Sequence, residues 1–357
     1  MTAMTSRERI LRMFQHKEAD RIPIVDKPWG QDTLDRWVAD GMPAGADYQD
    51  YFGLDKMIRF DIDNSPRFEE RVLEETEEYQ VYTTCWGETR KSWRHMTSTP
   101  QSIDHIVKTP DDWRLAKAGM TPDRDRIQWG HLRANWSGWR NEGAFIMPSV
   151  MFGFDITHSM MMSLDDVLIA LVEDPEWCGD MFTHQLDVTL ALLEMVWAEG
   201  YTFDALRWPD DMGFKGKQFF SLQTYRDLLK PLHRRVIAWA HGKGIPAYLH
   251  SCGNIAPFIP ELVELGLDGL NPIEVKAGME PLAIKREFGD RLTLHGGMSA
   301  LLWNDPDEME AVVREQVPIL KERGGFIFGT DHSIPTNVSA QDLKRILDVV
   351  RAVGRYE

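Results

Sequence analysis

From about residue 145 onward, short apolar runs alternate with helical segments of roughly 10 to 25 residues, and this alternation constrains the fold more than any other feature. The runs are Phe145–Val150, Asp204–Trp208, Pro246–His250, Gly269–Ile273, Leu292–His295 and Gly325–Gly329. Helical periodicity fills the intervals near 176–199, 222–243, 255–265, 306–322 and 340–353. A strand–helix–strand repeat builds a parallel sheet, because parallel neighbours need a long crossover between them. With further strands at 21–26 and near 57–61, about eight βα units result, the count of an α/β TIM barrel. A doubly wound open sheet is the alternative, but no Gly-x-Gly-x-x-Gly follows any strand. Thr5 and Glu8 have capping-box spacing and open an amphipathic helix through about His16. Residues from about 57 to 100, including Glu78–Cys85 and Glu88–Trp93, read as a hairpin excursion. No linker interrupts the chain, so residues 1–357 are expected to form one domain.

Composition narrows the functional classes. The formal charge of -16 disfavours nucleic acid, which needs a basic face, and anionic membrane surfaces. No apolar run reaches the roughly 18 residues of a membrane span. The stretch Met1–Glu8 lacks an apolar signal core and reads as mature. Cys85, Cys178 and Cys252 are too few for a disulfide framework. A cytoplasmic protein is expected.

The chemistry collects where the strands end. His250 and Cys252 stand two residues apart at a strand terminus, so they share one side while Ser251 turns away. An imidazole and a thiolate converging on one point suit zinc. His332, at the end of the last run, is the expected third metal ligand; Glu274 and Asp331 are the other candidates. Asp211, Glu274 and His295 are candidate catalytic or substrate-orienting groups. Polar residues at strand ends also cap helices, and a lone cysteine such as Cys178 is usually core. Trp129, Trp136, Trp139 and Trp208 could line an aromatic pocket, though core packing is their commoner use.

Several segments resemble the uroporphyrinogen decarboxylase superfamily. They are Arg7–Leu11 leading to Asp20–Pro23, Phe220–Arg226 leading through Lys230-Pro231 to His241-Gly242, Gly325–His332, and Asn337–Ser339. The resemblance implies a barrel with its site at the C-terminal mouth, and it divides in two. The decarboxylase branch uses no metal and binds an acidic tetrapyrrole through an Arg-Gln-Ala-Gly-Arg-Tyr loop. Here the corresponding stretch is Asp26-Lys27-Pro28-Trp29-Gly30-Gln31-Asp32, without the arginine pair. The methyltransferase branch carries zinc on a His-x-Cys motif, which His250-Ser251-Cys252 matches, and a further cysteine near the last strand, where this chain has His332. The resemblance therefore implies a zinc-dependent methyltransferase or demethylase acting on a small substrate or thiol, with a corrinoid supplied by a separate protein, and a homodimer. Two alternatives stand beside it. One is a metal-independent decarboxylase of a carboxylated ring, with Asp211 or Asp26 as acid–base group and His332 on substrate; the other is a non-catalytic ligand-binding barrel.

Overall fold

The computed structural model describes residues 4–356; Met1–Ala3, the start of the stretch read as mature, lie outside the described residues, as does Glu357. At its centre is a seven-stranded parallel sheet in chain order: β1 (Met57–Asp61), β2 (Phe145–Ser149), β3 (Leu206–Pro209), β4 (Ala247–His250), β5 (Gly269–Asn271), β6 (Thr293–His295) and β7 (Phe326–Ile327). Each adjacent pair runs parallel, from Met57 opposite Phe145 to His295 opposite Ile327. The expected helices appear as Pro175–Ala198, Lys230–Gly242, Ile259–Glu264, Pro306–Leu320 and Ala340–Val353. The fold is α/β with a curled parallel sheet.

The strand expected over 21–26 is not one. Pro23 has no N–H to donate to a ladder, and the segment makes single contacts instead. Phe328 N donates to Pro23 O and Val25 N to Phe328 O, both at 2.9 Å, while Asp55 N, just before β1, donates to Ile24 O at 2.8 Å. Thus seven strands, with this bridging segment, stand where eight were expected. The excursion is an antiparallel sheet of four strands between Val72 and His105, beginning and ending later than the expected 57–100. No described helix is long and apolar enough to cross a membrane.

Alternation along the strands creates two apolar layers. Ile146, Leu206, Trp208, Leu249, Leu270 and Leu294 face the helices. Met57, Phe145, Met147, Ala205, Tyr248 and Ile327 face inward, closed from below by Ile10, Met13 and Phe14 of helix Ser6–Phe14. Thr5 and Glu8 form the expected capping box at that helix's start. Burying such a side chain contributes about 1.5–3 kcal/mol, so a charge at Met13 would unseat this helix. Two residues further along the strands, the inward positions become polar: Arg59 after Met57, Arg207 after Ala205, and His250 after Tyr248. The apolar base holds the sheet together and the polar upper level forms the site.

Candidate metal centre

The C-terminal ends of the strands surround a cavity of about 410 Å³ lined by, among others, His250, Cys252, Asn271, His295 and His332. His250 leaves β4 pointing inward. Its Nδ1 lies 2.6 Å from Asn271 Oδ1 on β5. The Asn271 amide is oriented by its own Nδ2, which donates to His295 O at 3.1 Å. Asn271 Oδ1 can only accept, so Nδ1 of His250 carries the hydrogen and Nε2 keeps its lone pair free.

That lone pair faces two other ligand atoms. Cys252 Sγ is 3.5 Å from His250 Nε2, and Asp211 Oδ1 is 4.0 Å from it. The three ligand atoms lie within 4.8 Å of one another. The loops carrying them are stitched together. Asp211 Oδ1 accepts from Cys252 N at 2.8 Å, Ser251 Oγ accepts from Met212 N at 3.1 Å, and Asn254 N donates to Phe214 O at 3.1 Å. Ser251 thus turns away from the cluster, as its strand position requires. Gly253 completes the arrangement with φ +79°. A Cβ there would sit 2.0 Å from the carbonyl carbon of Gly213, so backbone meets backbone at this point.

The electrostatics fit a cation. Burial pushes the Asp211 carboxyl up to about 6. Burial, then the Asp211 and Glu274 carboxylates, pushes the Cys252 thiol up. Burial, then the Arg207 guanidinium, lowers His250 well below the usual histidine range. Without a cation the cluster therefore holds a neutral thiol and a neutral imidazole. A divalent ion reverses that preference for the thiol and matches the sulfur, nitrogen and oxygen donors present.

These residues belong to a recognisable sequence family. A family model described as uroporphyrinogen decarboxylase (URO-D) matches residues 154–353. The chain belongs to this family. Among solved structures it resembles a methyltransferase from Methanosarcina mazei, with a TM-score of 0.64 and 16% identity over 97% of this chain and 98% of that one. Dispersin B aligns with a TM-score of 0.32 and 8% identity over 77% of this chain and 79% of its own, too weak a likeness to argue from. No curated protein matches the sequence.

The other residues singled out in this URO-D family chain are placed as follows. Glu274 Oε2 accepts from Gly253 N at 2.6 Å and so holds the loop after Cys252. Asp331 accepts from Val275 N, Lys276 N and Ala300 N at 2.9, 3.3 and 2.7 Å, pinning two neighbouring loops. His332 lines the same cavity, but its ring packs on Trp29 with centroids 5.3 Å apart, and it is not in the close cluster. His295 is buried with both nitrogens engaged: Nδ1 with Tyr248 Oη, and Nε2 with Val25 O at 3.1 Å. Burial lowers its pKa to about 4, so it is a neutral strut joining β4, β6 and the 22–25 segment. Asp26 Oδ2 accepts from Thr330 N and Oγ1, each at 2.9 Å, and burial pushes its carboxyl up to about 6.

Trp208 is fully buried between sheet and helices, and Trp129, Trp136 and Trp139 pack on that same layer rather than the cavity. Cys178 is in the core, as expected. Sequence reasoning passed over Asn271 as the histidine's anchor, and over Arg59 and Arg207. The signal for Arg207 was available, since it interrupts an apolar strand between Leu206 and Trp208 on the inward side.

Proposed function

We propose that this member of the URO-D family is a zinc-dependent methyltransferase or demethylase, moving a methyl group between a small substrate or thiol and a corrinoid carried by a separate protein. The observation that carries this reading is the convergence of His250 Nε2, Cys252 Sγ and Asp211 Oδ1 at the cavity. The fold shared with a methyltransferase from Methanosarcina mazei supports it. The reading takes the sheet as a closed TIM barrel, with the segment around Ile24 in the eighth position between β7 and β1.

His250, Cys252 and Asp211 would hold the metal, with Asp211 in the position the sequence suggested for His332. Zinc bound there would acidify a thiol and stabilise negative charge developing on it. The chain's own residues prepare that chemistry. Asn271 fixes the His250 tautomer through Nδ1–H. The Asp211 carboxylate and a Cys252 thiolate together balance a divalent charge. Glu274 holds the Gly253 backbone, which keeps Cys252 against Asp211. Val25, Met57 and Pro272 give the cavity an apolar wall that limits water beside a transferring methyl group.

Elemental analysis of purified protein tests the reading. The wild type should hold about one zinc per chain. Cys252→Ala should lose it, Asp211→Asn should hold it weakly, and His332→Ala should keep it. Loss in His332→Ala with retention in Asp211→Asn would move the third ligand to His332. Absence of metal from wild-type protein after zinc reconstitution would sink the proposal.

One observation favours a second reading, metal-independent decarboxylation. Asp26 lines the cavity with a carboxyl raised to about 6, a suitable value for an acid–base group. Turnover of a carboxylated ring by chelator-treated protein, abolished in Asp26→Asn, would support it.

A further inference from the structure

Arg207 sits in the middle of β3, on the inward side, with about 5% of its surface exposed. It lines the cavity, and its buried Nε has no hydrogen-bond partner. Elsewhere the buried arginines keep partners on the rest of the guanidinium: Arg9 binds Asp20 and Asp55, and Arg126, whose Nε is also unpartnered, donates through its other nitrogens to the carbonyls of Ser65 and Gly119. Two further cations, Lys27 and Arg59, line the same cavity. Among the described residues, no ion pair or side-chain hydrogen bond is made by Lys27, Arg59 or Arg207. Arg59 and Arg207 share the cavity wall, and burial, then the Arg59 guanidinium, lowers Arg207 to about 10. Clustering like charges around one cavity, with one of them buried and unpaired, costs stability unless an anion completes the arrangement.

The acids on the wall do not complete it. Asp26 is engaged by Thr330, and Asp331 by three backbone N–H groups. With both ionised, three cations face two carboxylates and one positive charge is left over. The metal centre does not absorb that charge, because a Cys252 thiolate and an Asp211 carboxylate already match a divalent ion. We infer that the cavity takes a small monoanionic substrate, a methylated carboxylic acid whose carboxylate lies on Arg207 with Lys27 and Arg59 beside it. A guanidinium fork matches a carboxylate in two parallel hydrogen bonds. A cavity of about 410 Å³ accommodates a small acid of this kind. His250 and Cys252 line the same space, so the methyl-bearing end of the acid is directed to the metal centre. This substrate class, and the charge count with Asp211 on the metal, rest on the methyl-transfer reading; the partnerless Nε of Arg207 does not depend on it.

Calorimetric titration with matched acids and amides tests it, using methoxyacetate against methoxyacetamide and 4-methoxybenzoate against 4-methoxybenzamide. Zinc-loaded wild type should bind at least one acid more than about tenfold tighter than its amide. Arg207→Gln should lose that preference while keeping its zinc. Lys27→Gln and Arg59→Gln, at exposed positions that leave the core intact, should each reduce it several-fold. Equal binding of acid and amide, no binding of either acid at millimolar concentration, or an undiminished preference in all three variants overturns the proposal. Inorganic phosphate binding as tightly as the better acid, and lost in Arg207→Gln, overturns the carboxylate assignment in favour of a phosphate site. Acid preference in a wild type that holds no zinc leaves the anion site standing and removes only the methyl-transfer reading.

Discussion

Asn271 holds His250 through one contact, Oδ1 to Nδ1 at 2.6 Å, and that contact decides which ring nitrogen faces Cys252 and Asp211. Partners of this kind change metal affinity without touching the metal. Asn271→Leu should weaken zinc binding by about 10- to 100-fold, read by competition with a chromophoric chelator. Asn271→Asp, which keeps the acceptor, should retain most of the affinity. Unchanged affinity in the leucine variant would remove Asn271 from the site.

Gly253 joins the two loops of the centre, and no other residue fits there. Its φ of +79° disfavours any side chain, and the nearest backbone atoms of Gly213 and Phe214 would lie 2.0 and 2.4 Å from a Cβ. Gly253→Ala should destabilise the protein by about 2–4 kcal/mol, combining backbone strain with steric displacement. Urea denaturation would show this as a lower midpoint, accompanied by weaker zinc retention. A midpoint equal to wild type would mean the loops can separate freely.

Metal binding should release protons. Cys252 is held as a thiol and Asp211 titrates near 6. Zinc must displace the thiol proton at any neutral pH, and below pH 6 increasingly that of Asp211 as well. Titration calorimetry in buffers of differing ionisation enthalpy should count about one proton at pH 8, rising toward about two below pH 6. Affinity should fall with pH accordingly. A proton count of zero at pH 8 would exclude Cys252 as a ligand.

Asp26 makes stability depend on pH in a predictable direction. Its folded pKa of about 6 lies above the unfolded value of about 3.9, so the native state binds a proton that the unfolded state lacks. That contribution is fully present below about pH 4 and is lost as pH rises through 6. Asp26→Asn carries no such titration. Its stability relative to wild type should therefore improve by about 1–2 kcal/mol between pH 4.5 and 7.5, compared by denaturation midpoints at the two values. A difference that does not change with pH would mean that Asp26 is not buried as a carboxyl.

Local patterns determined a good deal. The alternation after residue 145 specified the parallel strands and their helices, because apolar period and capping chemistry act over a few residues. The i, i+2 spacing of His250 and Cys252 put both on one side of a strand end, since side-chain direction follows from strand geometry alone. The strand expected over 21–26 does not form: Pro23 withholds a donor, and the segment makes single bridges to its packed neighbours instead.

Tertiary structure alone decided the partners. Asp211 meets Cys252 across 41 residues, and Asn271 meets His250 across 21. No local period reports such distances. His332 and Asp211 both lie in loops that follow strands, and only packing set one against Trp29 and the other beside the thiol. Arg207 could be read as an inward residue from its strand. That it makes no ion pair is a property of every surrounding strand together, because pairing depends on which side chains the curled sheet brings within reach.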